Sequence, residues 1–144
     1  MDIVNNFKLM PTFLKLCTAC ALGLSLALAS TLLPGVPIRL FGHAVTHAEW
    51  WATGAGQYML IVAALMAAAA AMMLIRVRHS RLAYITAWIA LSFSIPFLAG
   101  VTGHDVTASN SSLIFNLLLT LAIALYLYFS KGSRIYFSSR RADR

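Results

Sequence analysis

Charge is scarce in this chain of 144 residues. Only 10% of the residues are charged, the acidic ones number four, and 60% are hydrophobic. A soluble domain carries about 25% charged residues, and one of this size could not bury so much apolar surface and still cover itself with polar side chains. The mean hydropathy of +0.80 therefore argues against a soluble domain and against intrinsic disorder. It predicts an integral membrane protein.

Asp, Glu, Lys, Arg and His are absent from four long stretches, namely 16–38, 50–75, 82–103 and 106–130. A bilayer core about 30 Å thick is crossed by about 20 helical residues, and no ten-residue alternation suggests a barrel. We therefore predict an all-α, integral membrane four-helix bundle that forms one domain over residues 1–144. The approximate spans are 12–33, 50–75, 82–101 and 112–130. Asn110 or a neighbouring serine is expected to cap the fourth helix, and Pro96 to kink the third.

Basic residues lie almost entirely on one side of this topology. Arg39 is the exception. The positive-inside rule therefore places both termini on the cytoplasmic side of a bacterial inner membrane, where residues 131–144 form a basic tail. The net charge of +7 then reflects topology and anionic lipid, and needs no nucleic-acid partner. The ten residues on the cytoplasmic side are Lys8, Lys15, Arg76, Arg78, Arg81, Lys131, Arg134, Arg140, Arg141 and Arg144.

Ionisable side chains are absent from the charge-free stretches, apart from cysteine and tyrosine. Proton relays, ion-coupled carriers and voltage sensors need ionisable groups at membrane depth, and a haem held between helices needs an axial ligand there. The chain also has no recognisable Ser-His-Asp set, paired carboxylate, Gly-rich phosphate loop or H-E-x-x-H motif. We therefore expect no enzymatic activity and no cofactor.

Small residues recur at helical spacing and predict close helix packing, either within the bundle or with a partner helix. The first span has Gly23 and Ala27, and the second has Gly56. In the fourth span Asn116 and Thr120 share a face, and Asn116 would be costly against lipid. The expected partners are membrane lipids, anionic lipid included, and other membrane subunits or further copies of the chain.

Cys17 and Cys20 form a C-x-x-C pair, which resembles the one near a helix end in four-helix membrane enzymes that make disulfides. Those enzymes keep their working thiols on the oxidising side and use a second cysteine pair. Here the pair lies near the predicted cytoplasmic end, and the chain has two cysteines. Apolar burial makes thiols inert, so we interpret the pair as two small packed side chains.

The loop after the first span is amphipathic from Pro37 onward and predicts a short helix on the outer membrane surface. Thr46 and Glu49 have the spacing of a capping box for the second span, and Trp50 and Trp51 follow as interfacial anchors. The apolar side of the predicted helix holds Ile38, Phe41, Val45 and Ala48, and the polar side holds Arg39, His43 and His47.

The outer loops hold three candidate metal ligands: His43, His47 and His104. His43 and His47 stand four residues apart, which on a helix places two imidazoles on one face, as in zinc and copper sites. Solvated histidines at the membrane interface are the plainer interpretation. A metal site or a pH sensor is the alternative.

The closing stretch from Tyr126 to Phe137 runs Tyr-Leu-Tyr-Phe-Ser-Lys-Gly-Ser-Arg-Ile-Tyr-Phe. It resembles the tail of a bacterial family of uncharacterised small four-helix inner-membrane proteins, which has an aromatic, Ser, basic, apolar, Phe pattern. The short basic loop 76–81 and the chain length are similar too. The resemblance implies this topology and no particular activity.

These observations predict a non-catalytic inner-membrane protein that acts through protein–protein interaction, as an accessory or assembly subunit of a larger complex. One alternative is an immunity protein that blocks a pore-forming toxin within the membrane. Another is a metal- or haem-handling protein that uses the outer-loop histidines.

Overall fold

The structure is a computed structural model that describes residues 3–40, 42–77, 79–102 and 107–138. Four stretches of these residues are long and apolar enough to cross a membrane: α2, α4, α5 with α6, and Asn110–Phe129 of α7. This confirms the prediction of four candidate spans. The helices are α1 (Ile3–Leu9), α2 (Thr12–Ser30), α3 (His47–Ala52), α4 (Ala55–Leu74), α5 (Ser80–Ser92), α6 (Ser94–Thr102), α7 (Thr107–Phe129) and α8 (Lys131–Ser138), and the strands are β1 (Ile38–Leu40) and β2 (His43–Val45).

The predicted surface helix after the first span is wrong. In its place β1 and β2 form an antiparallel hairpin, in which Ile38 pairs with Val45 and Leu40 pairs with His43. Gly42 in the connection has φ +86°, a backbone conformation that glycine adopts freely and a helix does not contain. Ile38 and Val45, the β-branched pair that joins the start of β1 to the end of β2, favour an extended backbone.

Local signals set most helix boundaries. Thr46 and Glu49 form the expected capping box, but it begins the short helix α3, and α4 starts separately after Gly54 at φ +82°. Pro96 has no N–H to donate to the carbonyl of residue 92, and its ring would clash with that carbonyl in a continuous helix. Helix α5 accordingly ends at Ser92. The cap expected near Asn110 is wrong, because α7 already begins at Thr107.

The helices pack in the order α2, α4, α5 and α7, with α4 between α2 and α5. Two apolar clusters fill the interior. The larger one joins Leu14, Met73, Tyr84 and Leu127 from the four spanning segments to Tyr136 of α8. The smaller one joins the hairpin to the start of α4 and to α6. We call the two ends of the molecule the tail end, where α1 and α8 lie, and the hairpin end.

The segments before α2 and after α7 meet at the tail end. The rings of Phe13 and Tyr126 lie 4.4 Å apart, centroid to centroid, and a Cβ placed on Gly132 would lie 3.4 Å from Pro11 Cγ. Helix α8 turns back and buries Ser133 and Tyr136. Both ends of the described chain therefore lie together.

Candidate interaction surfaces

Helix α2 packs against the rest of the molecule through one of its faces. Leu14 and Ala21 on this face have no exposed surface. The Ser25 hydroxyl donates a hydrogen bond of 2.9 Å to the Ala63 carbonyl of α4. The Tyr84 hydroxyl of α5 donates one of 2.8 Å to the Cys17 carbonyl. This face thus holds α2 to both central helices.

The predicted small residues Gly23 and Ala27 lie on the other side of α2. Residues two positions apart in a helix point about 200° apart, so Gly23 and Ala27 face away from Ala21 and Ser25. Both are exposed, and a Cβ placed on Gly23 would meet no atom of the described residues within 4 Å. We call this side, with the exposed Ala19 and Cys20, the glycine face of α2.

Gly56 and Thr120, two of the other residues predicted to pack between helices, contact neighbouring elements of the described chain. A Cβ placed on Gly56 would lie 2.9 Å from the ring of Trp51, so glycine lets α3 approach α4. Thr120 is buried on α7. Its hydroxyl lies 3.5 Å from that of Ser92 on α5 and donates to the Asn116 carbonyl at 2.7 Å. The side chain of Asn116 is half-buried.

The hairpin separates the histidines that were expected on one helical face. His43 is exposed in β2, whereas His47 is the first residue of α3. The indole N–H of Trp51 donates to His47 Nε2 at 3.1 Å, which occupies that nitrogen. Among the residues that the structure describes, no three His, Cys, Asp or Glu side chains are grouped to hold a metal ion. His104 lies outside those residues.

The carboxylate of Glu49 holds the chain in place where α3 begins. It accepts hydrogen bonds from the Thr46 hydroxyl at 2.7 Å and from the Thr46 N–H at 2.9 Å. These bonds favour the ionised form and lower the pKa of Glu49 below its ordinary value. The following Trp50 is only 2% exposed and packs with the hairpin cluster, while Trp51 is half-buried. Of the two predicted anchors, Trp51 thus presents more surface to its surroundings.

The two cysteines are free and differ in environment. Cys17 is 6% exposed and belongs to the larger apolar cluster, whereas Cys20 is exposed on the glycine face. Cys20 therefore offers a thiol at the surface that no other part of the described chain covers.

Two arginines predicted only as topology signals make specific contacts at the tail end. The guanidinium of Arg76 lies 4.3 Å from the centroid of the Tyr136 ring, and that of Arg81 lies 4.5 Å from the Phe137 ring. Arg81 also donates to the Ser133 carbonyl at 3.3 Å. Arg76, in the loop after α4, and Arg81, in the first turn of α5, therefore hold α8 against these segments. Arg78 lies outside the described residues.

Tyr136 is the residue of α8 that sequence reasoning missed. It is 4% exposed, and its hydroxyl donates to the Met73 carbonyl at 3.3 Å. Burial raises its pKa above the ordinary tyrosine value, although Arg76 opposes the shift. Its spacing of three from the buried Ser133 is the amphipathic signal that could have revealed the contact. Lys131 and Arg134 lie on the opposite, exposed side of α8.

Comparison of the chain with protein-family models, with curated proteins and with solved structures gave no significant match.

Proposed function

We propose that this protein is a non-catalytic subunit of a larger membrane complex, in an accessory or assembly role, and that it binds a helix of another membrane protein along the glycine face of α2. The single observation that carries the proposal is the open surface above Gly23, on the opposite side from the contact between α2 and α4.

Lipid does not drive large apolar side chains together, because hydrocarbon tails are as apolar as leucine. Helices instead associate where small residues let two backbones approach closely. Glycine in a helix interior costs about 1 kcal/mol relative to alanine, and none of the residues that the structure describes fills the space beside Gly23. A close-packed partner helix would recover that cost.

The position of α2 in the molecule fits this use. Its buried face is bonded to α4 and α5, and near its start Phe13 contacts Tyr126 of α7. Beyond that contact, Cys20, Gly23 and Ala27 are exposed, so a partner helix can reach the glycine face there.

The proposed setting is a bacterial inner membrane with both termini in the cytoplasm. All described Lys and Arg residues except Arg39 lie at or next to the tail end, and positive charge is retained on the cytoplasmic side. The tail-end basic loop and the start and end of the chain would then face the same compartment.

Cys20 provides a native position for testing the partner contact. In a Cys17→Ala background, a short photoactivatable cross-linker attached to Cys20 in native membranes should give one discrete adduct with another polypeptide. Gly23→Leu should lower its yield about tenfold, because leucine overpacks a close backbone contact. Leu24→Ile is the matched control and should leave the yield unchanged.

Three results would contradict the proposal. Equal yields in the two variants would mean that the glycine face is not the contact. Adducts with lipid alone would mean that it faces the bilayer. An adduct of twice the chain mass would mean self-association instead of binding to a different subunit.

A further inference from the structure

A groove lies at the tail end where α7 gives way to α8. It is lined by Phe129, Lys131, Arg134, Ile135 and Ser138, and its volume is about 560 Å³. Sites for small ligands have volumes of about 300–1,000 Å³. The groove is therefore large enough for the phosphate and glycerol portion of a lipid.

The walls of the groove have two kinds of chemistry. Phe129 and Ile135 are apolar and remain 76% and 57% exposed. Lys131 and Arg134 are exposed cations three residues apart on α8, a spacing that places them side by side on the helix. Because Phe129 is the last residue of a candidate span, the apolar wall lies where hydrocarbon ends and the cations lie just beyond it.

Among the described residues the two cations have no carboxylate to pair with. The one acidic residue described is Glu49, which lies at the hairpin end and is bonded to Thr46. The remaining acidic residues, Asp2, Asp105 and Asp143, lie outside the described ranges. A ligand that brings a negative charge would therefore complement the two cations of the described surface.

Contacts with the rest of the molecule hold the inner face of α8 in place, so the side chains of its outer face are preorganised for binding. The Ser133 hydroxyl donates to the Leu127 carbonyl at 2.8 Å, and the Arg76 and Tyr136 contact holds the next turn. Lys131 and Arg134 are thereby presented outward on a helix already in place, which reduces the entropy cost of binding.

We propose that this groove binds one anionic phospholipid. Lys131 and Arg134 would hold its phosphate, while the start of an acyl chain would lie along Phe129 and Ile135. The charge of the two cations selects for an anionic ligand, and the adjacent apolar wall at the edge of a span selects for one that carries hydrocarbon. The proposal does not depend on the partner contact of α2.

The test uses the full-length protein, delipidated in a neutral detergent and titrated with phosphatidylglycerol or with phosphatidylcholine of the same acyl chains. Native mass spectrometry counts the bound lipids. We expect one phosphatidylglycerol to bind before any phosphatidylcholine. Lys131→Gln with Arg134→Gln should weaken phosphatidylglycerol binding about 30-fold, since each basic residue near a membrane surface contributes about a factor of five. Ile135→Ser should weaken it severalfold.

The matched control is Lys8→Gln with Lys15→Gln, which removes the same charge from the tail end but not from the groove, and should change binding less than threefold. An equal loss of phosphatidylglycerol binding in both double variants would show that only general charge attraction is involved. That result would overturn the proposal. Equal binding of the two lipids by the unmodified protein would also overturn it, whatever the variants do. Displacement of phosphatidylglycerol by millimolar inorganic phosphate would show a free-phosphate site instead.

Discussion

Truncation of Tyr136 to alanine should release α8 from the tail end of the molecule. The ring is 4% exposed, and truncation of a buried aromatic side chain costs about 3–5 kcal/mol. Helix α8 has eight residues, too few to be stable alone in water, so the loss should appear as local opening of 131–138. At about 1.4 kcal/mol per factor of ten, hydrogen exchange there should accelerate at least about a hundredfold.

The contacts of Tyr136 indicate how the free energy lost on its truncation divides among separate interactions. The cation–π contact with Arg76 at 4.3 Å contributes about 0.5–2 kcal/mol. The bond from the hydroxyl to the Met73 carbonyl is long, at 3.3 Å, and contributes about 0.5 kcal/mol. Apolar burial of the ring supplies the rest. Tyr136→Phe keeps the ring and should therefore accelerate exchange only about two- to fivefold.

Hydrogen–deuterium exchange of the full chain in detergent, followed by mass spectrometry of peptides from α8, measures this opening. Ile135→Ala is the control on the same helix, because Ile135 is 57% exposed and alanine favours helix. Exchange in Tyr136→Ala no faster than in Ile135→Ala would refute the reasoning, since it would show that the buried ring does not hold α8.

Two further predictions concern the hairpin end and the contact between α2 and α4. The pKa of Glu49 is lowered in the folded chain, so its contribution to stability is present above the unfolded value of about 4.3 and is lost as the pH falls. The unfolding midpoint should decline between pH 6 and pH 3 more in the unmodified protein than in Glu49→Gln, and parallel declines would contradict this. Ser25→Ala removes a bond between helices and should lower stability to denaturation in detergent by about 0.6 kcal/mol. Ser30→Ala, which removes a bond to Ala27 within α2, should cost less, and an equal cost would show that the bond to α4 contributes no more than a bond within the helix.

Features decided by local sequence could be predicted well. The four candidate spans follow from the absence of charge over 20 or more residues, because a span is recognised by its own composition. The capping box at Thr46 and Glu49 is confirmed, since both partners lie within one turn. The break between α5 and α6 follows from the geometry of Pro96 alone.

Features decided by pairing between distant segments could not be predicted from the sequence. The segment from Pro37 has apolar spacing that fits a helix, but the pairing of Ile38 with Val45 and the backbone at Gly42 make it a hairpin. That change also removed the predicted helical face of His43 and His47. At the tail end, charge counting gave Arg76 and Arg81 a role in topology, whereas their contacts with α8 depend on a chain reversal that no local pattern specifies.

The two ends of the described molecule differ in how their charge is satisfied. At the hairpin end the carboxylate of Glu49 is bonded by its own capping residue. At the tail end Arg76 and Arg81 contact aromatic rings, which stabilise a cation but leave its net charge intact. The described tail-end segments therefore keep a positive potential that aromatic packing cannot neutralise. An anionic membrane surface would neutralise such a potential at a gain of about 1 kcal/mol for each basic residue, and in the topology that we propose this end is the cytoplasmic one.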